Sequence, residues 1–351
     1  MQKYHQNTPK SLFEEQYTIN ELSKMGNPLE MLSQCLDFEM FREKLESVLT
    51  KEDRRSNAGR RPFDPVLMIK VMFIQRMYCL SDEQAEYQIK DRTSFRQFLG
   101  ISSYEDVPDE KTIWKYRELL AKNGTFDELF NIFLLHLQEL GIKMNEGKMI
   151  DASFVVAPRQ RNTKEENKKI KEGKGAELWK DQPHKKCQKD IDARWVKKRG
   201  ERFYGYKDHV KVDKKTKIIT GYAVTSANVH DSKEAAGLIT EEDKGQEVWL
   251  DAGYTGLEGA LTAKGVKPII CEKGFRNHPL TDSQKLSNKQ KSTVRSRVEH
   301  VFGFMEQSMR GLIFRCIGIV RAKANIAFTN MVYNICRYSQ ILRYNSEWIT
   351  A

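Results

Sequence analysis

The 351-residue sequence has no apolar run approaching the roughly 18 residues of a membrane span. It has no Cys-x-x-Cys pair and no internal repeat. The first absence excludes a spanning helix. The second argues against a zinc ribbon and against a disulfide framework, because Cys35, Cys79, Cys187, Cys271, Cys316 and Cys336 are scattered and read as inert thiols. The opening stretch, MQKYHQNTPKSLFEEQ, lacks the basic-then-apolar pattern of a secretory leader, so a cytoplasmic protein is expected. What is present is enough apolar material for a real core: 39% hydrophobic and 10% aromatic residues exclude global disorder. The length suggests two domains.

Charge is abundant and unevenly placed. Lys and Arg number 59 against 48 Asp and Glu, a net charge of +11, with a pI near 9.2. Residues 158–217 hold 21 Lys or Arg against 10 Asp or Glu, an excess equal to that of the whole chain. Residues 273–297 hold 7 Lys or Arg and one acid, Asp282. Two basic segments thus sit on a mildly acidic body. Solvated loops would explain them; so would contacts to phosphates, which make affinity depend on salt through counterion release.

Residues 1–145 read as an N-terminal all-α helical domain. Asp64-Pro65 starts a helix at the apolar run Val66–Tyr78. Ser81 with Gln84 fits a capping box. Asp109 starts a helix that Asn123-Gly124 stops, and Thr125 with Glu128 caps the next, which Gly141 ends. From residue 146 to about 345 the pattern becomes α/β. Residues 149–156 read as a strand containing an acid, and a polar, Lys-rich basic stretch at about 158–202 reads as an insertion or mobile loop. Strands follow at 203–212 and 218–225, a helix at 232–239, a strand at 247–251, a helix through Leu261 and a strand at 267–271. Helices close the chain at 293–309 and 322–342. That order fits an RNase H-like sheet, and other α/β folds too.

Three carboxylates occupy special places. Asp151 lies among Met149, Ile150, Phe154 and Val155, where a carboxylate is costly unless paired, hydrogen-bonded or metal-bound. Asp251 ends a later strand just before Gly253, and ligands collect at strand carboxyl ends in α/β sheets. Glu299 borders the apolar side of a late helix, four residues after Arg295. Oxygen-only ligands suit Mg²⁺ or Mn²⁺, and two such ions about 4 Å apart stabilise phosphodiester transfer. Each acid alone also has an ordinary reading, as a hydrogen-bonded strand acid, a turn acid and a surface helix residue.

The stretches MIDASFVVAPRQRN, GYKDHVKVD, SANVHD, VWLDAGYTG and RSRVEHVFGFMEQSMRG resemble the insertion-sequence-five family of bacterial DDE transposases. GRRPFDPVLMIKVMFIQ, LSDEQAEYQ and VPDEKTIWKYR resemble that family's N-terminal helical domain. The similarity runs from about Gly59 to Tyr338. It implies an RNase H-like catalytic core whose DDE triad falls on Asp151, Asp251 and Glu299, acting as catalytic and metal residues with Mg²⁺ or Mn²⁺, two ions. It implies double-stranded DNA as partner, both element ends and target, and a homo-oligomer that is at least a dimer on DNA, in a bacterial cytoplasm and nucleoid-associated when DNA-bound. Arg295 fits the arginine four residues before the family's glutamate. Two positions depart from the wider signature: Ser292 stands where a tyrosine is expected, and Glu306 where a DNA-contacting lysine is. Glu306 is also the rival for the third ligand, seven residues from Glu299 on the same helix face.

DNA contacts are expected from Arg60 and Arg61 before Pro62, from Lys197, Lys198 and Arg199, and from Arg295 and Arg297. Trp195, among these basic residues, reads equally as packing or as a stacking surface for an unpaired base. Lys207, His209, Asp213, Asn228, His230 and Asp231 match no zinc spacing and are expected in structural or DNA-side roles. The reading is a transposase that binds its element's terminal inverted repeats, cuts DNA and joins the 3′ end to target. Its rivals are another RNase H-like nuclease, such as a junction resolvase, and a non-catalytic, domesticated DNA-binding protein.

Overall fold

Local start signals fix several helices of the first part of the chain. In the computed structural model, which describes residues 13–49, 61–198, 200–276, 278–344 and 348, the chain divides into two compact units, Met1–Arg117 and Glu118–Ala351. Arg60 and Arg199 lie outside the described residues. The first unit carries α1 (Glu14–Lys24), α2 (Pro28–Cys35), α3 (Arg42–Leu49), α4 (Pro65–Met77), α5 (Asp82–Asp91), α6 (Thr93–Leu99) and most of α7 (Glu110–Lys122). Asp64 accepts hydrogen bonds from the Val66 and Leu67 amides, so α4 begins at Pro65 as its sequence dictates. Ser81 and Gln84 bond each other's backbone at the start of α5. Phe38 meets Phe41, Phe73 and Phe98 edge-on at 5.6–6.1 Å, forming the unit's aromatic centre.

The first unit ends one helix earlier than the boundary expected near residue 145. The reason is the aromatic stripe of α8 (Thr125–Glu139). Its Phe126, Phe130 and Phe133 pack on Phe328, Tyr222 and Tyr338, all in the second unit. Thr125 does not cap α8. Gly124, in the left-handed region at φ +67°, holds the N-cap position and the Thr125 hydroxyl is buried without a partner.

The second unit is a mixed α/β fold. Its sheet contains β1 (Lys148–Val156), β2 (Arg194–Lys198), β3 (Glu201–Asp213), β4 (Ile219–Ser226), β5 (Glu247–Leu250) and β6 (Lys267–Ile270), in the order β2-β3-β1-β5-β6 with β4 also on β3. β1, β5 and β6 are mutually parallel; β3 runs antiparallel to β1, β2 and β4. The 13-residue β3 serves two partners end to end, β2 along Glu201–Gly205 and β4 along Tyr206–Val212. Gly205 stands at the changeover with φ +147°, and a Cβ there would overlap the Val155 carbonyl of β1.

The segment expected as an insertion or mobile loop is a folded insertion. It holds α9 (Lys164–Lys171), started by a Thr163–Glu166 capping box, and α10 (Pro183–Lys186); β2, at its end, joins the sheet. Ile170, Leu178 and Trp179 with Ile191 make a small core of its own. Glu166 ties it together, accepting from the Trp179 indole at 2.7 Å and from Lys185 at 2.8 Å. These apolar residues lie too far apart in sequence for any helical or strand period to reveal them.

Side chains of neighbouring strands share a face and alternate along each strand. One face of the sheet presents Ile150, Ala223, Val248 and Leu250 to α11 (Ser232–Leu238) and α12 (Glu258–Ala263), in a core that includes Tyr254. The opposite face carries Asp151, Asp208 and Tyr222. Against it lie α8, α13 (Asp282–Ser308) and α14 (Ile319–Tyr344). α13 starts eleven residues before the expected Thr293, because Thr281 and Gln284 form a capping box. Half of what read as a basic loop is therefore helix.

Candidate active site

β1 and β5 pair in parallel with Lys148 opposite Val248 and Met149 opposite Trp249. Continuing that register sets Asp151 beside Asp251, on the face covered by α13. Asp251 lies just past β5, where its Oδ1 accepts from the Gly253 amide at 2.8 Å and starts a short helical turn. Asp151 is part-buried. Burial pushes its carboxyl up to about 6; the Ala152 amide and Arg295 pull the other way, and the nearby Asp251 adds to the upward push.

Glu299 reaches this place through Arg295. One guanidinium nitrogen bonds Asp151 at 3.1 Å, and the other bonds Glu299, one helical turn on, at 2.9 Å. The Glu299 side chain is 59% exposed and that of Asp151 only 19%. Among the described residues no three His, Cys, Asp or Glu side chains already form a metal-holding group. The guanidinium instead lies between two of the three candidate ligands.

The basic residues divide. Lys198 lies over the Phe154 ring at 5.3 Å, and its charge is felt at Asp151. Lys197 and Lys198 are exposed on β2. Trp195 is 49% exposed, with Arg159 over its ring at 5.6 Å and Tyr204 against it at 5.1 Å. Arg61 is exposed ahead of α4. Arg297 is exposed but turns to the β3–β4 connection, donating to the Lys214 carbonyl, away from the carboxylates. Much of the positive charge in residues 158–217 is committed inside the protein. Lys207 is buried and donates to the Val229 carbonyl and to Asp231, each at 2.7 Å; Lys211 is buried on Asp243 at 2.6 Å; Arg194 bonds three backbone carbonyls.

His209 is structural. Its Nε2 meets the Thr225 hydroxyl at 2.8 Å, and burial pushes its pKa down to about 4, so the ring stays neutral. Asp213 turns the β3–β4 hairpin by accepting from Lys215 and Thr216. His230, exposed, pairs with Ser232. Sequence reasoning missed Tyr254. Its ring belongs to the core under β1 and β5, its hydroxyl is buried without a partner, and burial, helped by the charges of Asp151, Asp231 and Asp251, pushes its pKa up. The one signal was its position three residues after Asp251.

Residues 145–335, more than half of the chain, match the family described as the transposase DDE domain. The chain belongs to that family. It is an enzyme of the DDE transposase class. Residues 17–119 match a second family, described as transposase domain (DUF772). Among solved structures the transposase is similar to a piggyBac transposase synaptic complex with hairpin DNA, determined by cryo-EM, with a TM-score of 0.44 and 12% identity over 92% of this chain and 77% of that one. No helix among the described residues is long and apolar enough to cross a membrane.

Proposed function

We propose that this transposase is that of a bacterial insertion sequence of the insertion-sequence-five type. It binds the terminal inverted repeats of its element through its N-terminal helices, cuts double-stranded DNA at the ends and joins the 3′ end to target DNA. It works in the cytoplasm on the nucleoid, as a dimer at least, since two ends have to be held together. What supports the reading is the parallel register of β1 and β5, which sets Asp151 beside Asp251, together with Arg295 linking Asp151 to Glu299.

Asp151, Asp251 and Glu299 would hold Mg²⁺ or Mn²⁺, two ions. The fit is supported by their oxygen-only chemistry and by a cation, the Arg295 guanidinium, already shared between two of them. Divalent cations there supply charge stabilisation at the attacking and leaving oxygens and activate water or a 3′-hydroxyl. The protein's own part is to hold the carboxylates on two strands and a helix, and to hold the DNA backbone against them with Lys197, Lys198 and Arg295.

The test is a strand-transfer assay with a pre-cut element end. Glu299→Gln is expected to abolish joining in Mg²⁺ and in Mn²⁺. Glu306→Gln should leave it intact, because seven residues at 1.5 Å rise set Glu306 about 10 Å along α13, too far to share a metal pair. A dead Glu306→Gln beside an active Glu299→Gln would overturn the assignment. DNA binding without joining in the wild-type chain would favour a domesticated DNA-binding protein.

Charge reversal of Lys197 and Lys198 should weaken DNA binding and lower the log–log salt slope by about 1 for every phosphate that is no longer neutralised. These two are exposed and carry none of the insertion's internal bonds, so folding is expected to survive. Filter-binding titrations at several salt concentrations read the slope, and an unchanged value would mean that the pair is merely solvated.

A further inference from the structure

The carboxylates hold a cation of the protein's own. Arg295 extends one nitrogen to Asp151 on β1 at 3.1 Å and the other to Glu299 on its own helix at 2.9 Å. Its side chain is 21% exposed, so the charge is largely withdrawn from water and depends on these partners. Glu299, at 59% exposed, has open solvent to turn into, and Arg295 directs it inward. One positive group thus occupies the approach that a divalent cation would take between the same two side chains.

We propose that Arg295 is a resident counter-ion, which closes the carboxylates of the metal-free protein, competes with divalent cations for them and, once released, is handed to a DNA phosphate. This rests on the reading of Asp151 and Glu299 as metal ligands. The guanidinium suits the handover, since its planar fork fits a carboxylate and a phosphate oxygen pair alike. Cation loading and DNA grip are thereby coupled through one side chain, and the coupling is reciprocal. The opposite role, in which Arg295 prepares the carboxylates for metal, predicts the opposite sign in a binding experiment.

The experiment measures Mn²⁺ affinity of the full-length protein without DNA, from the electron paramagnetic resonance signal of free Mn²⁺. Arg295→Met is expected to bind Mn²⁺ more tightly, on the order of tenfold for two part-exposed ion pairs removed. Arg295→Lys, which keeps the charge and loses the fork, should fall between it and wild type, and it carries the sign of the effect if the Met variant does not fold. Unchanged or weaker binding in these variants overturns the proposal. A wild type that binds no Mn²⁺, or an Asp151→Asn protein that binds as well as wild type, defeats the metal-ligand reading itself and the proposal with it.

A second arm uses Ca²⁺ and a short duplex of the element end. Arg295→Met should lose DNA affinity when Ca²⁺ is present and match wild type when it is absent. Equal losses in both conditions would mean that Arg295 contacts DNA irrespective of the carboxylates, which overturns the handover.

Discussion

Asp151→Asn is expected to lose cleavage and joining by at least roughly a thousandfold, about 4 kcal/mol of barrier, while folding and DNA binding persist. The substitution keeps the shape of the side chain in a tightly paired strand and removes only the charge. Asp151 sits where β1 is flanked by β3 on one side and β5 on the other, and burial already disfavours its ionised form. The neutral amide therefore relieves a desolvation cost, and the thermal midpoint should hold or rise. Activity and melting measured on one preparation separate the two effects. An active Asp151→Asn protein in Mg²⁺ would remove this residue from the chemistry.

The second large effect concerns stability. Asp208 on β3 is buried beneath α14 with a single hydrogen bond, from the Asn330 amide at 3.3 Å; its Oδ2 and the Asn330 carbonyl oxygen have no partner. Burial pushes its carboxyl up to about 7, with Asn330 pulling slightly down. An unfolded chain would release this proton near pH 4. Between about pH 4 and 7 the folded protein therefore keeps a proton that the unfolded chain has lost, and stability falls as pH rises through that window. A difference of three pH units corresponds to roughly 4 kcal/mol. Asp208→Asn copies the protonated form and does not titrate. Its melting midpoint should lie close to that of wild type near pH 4 and exceed it by on the order of 10 °C at pH 8. Parallel melting curves across that range would show that Asp208 is not the group responsible.

The contrast between these two aspartates explains what could be read from the sequence. Asp151 was legible because an acid in an apolar strand is conspicuous, and Asp251 because it ends a strand before glycine. Asp208 was not, because it stands between Lys207 and His209 in a stretch that looks solvated, and only the pairing of β3 with β1 and β4 buries all three. Outside the insertion and the first half of α13, strand and helix positions in the second unit followed from local pattern, α8 included; the packing of α8 did not, since nothing in its own residues tells which core its phenylalanines enter. The small core of the insertion depends on Ile170, Leu178, Trp179 and Ile191, which only tertiary folding brings together. The Arg295 bridge was half visible. Its spacing to Glu299 is a helical turn, but its reach to Asp151 spans 144 positions.

The end of β4 has a consequence for the order in which this protein is made. At Ile219 the strand's amide and carbonyl are both bonded by one side chain, Asn334 of α14, at 2.9 and 2.8 Å and 115 positions downstream. A growing chain leaving the ribosome therefore carries both polar groups without this partner until α14 has been added. Domains fold largely as units once their residues are available, and unpaired strand ends invite wrong partners in the interval. Because Glu299 lies on α13, well after β1, the Asp151–Arg295–Glu299 bridge and the closing of the sheet both wait until α13 and α14 have been made. A ribosome stalled before Asn334 would hold a nascent chain with a sticky strand end and an unfinished nuclease.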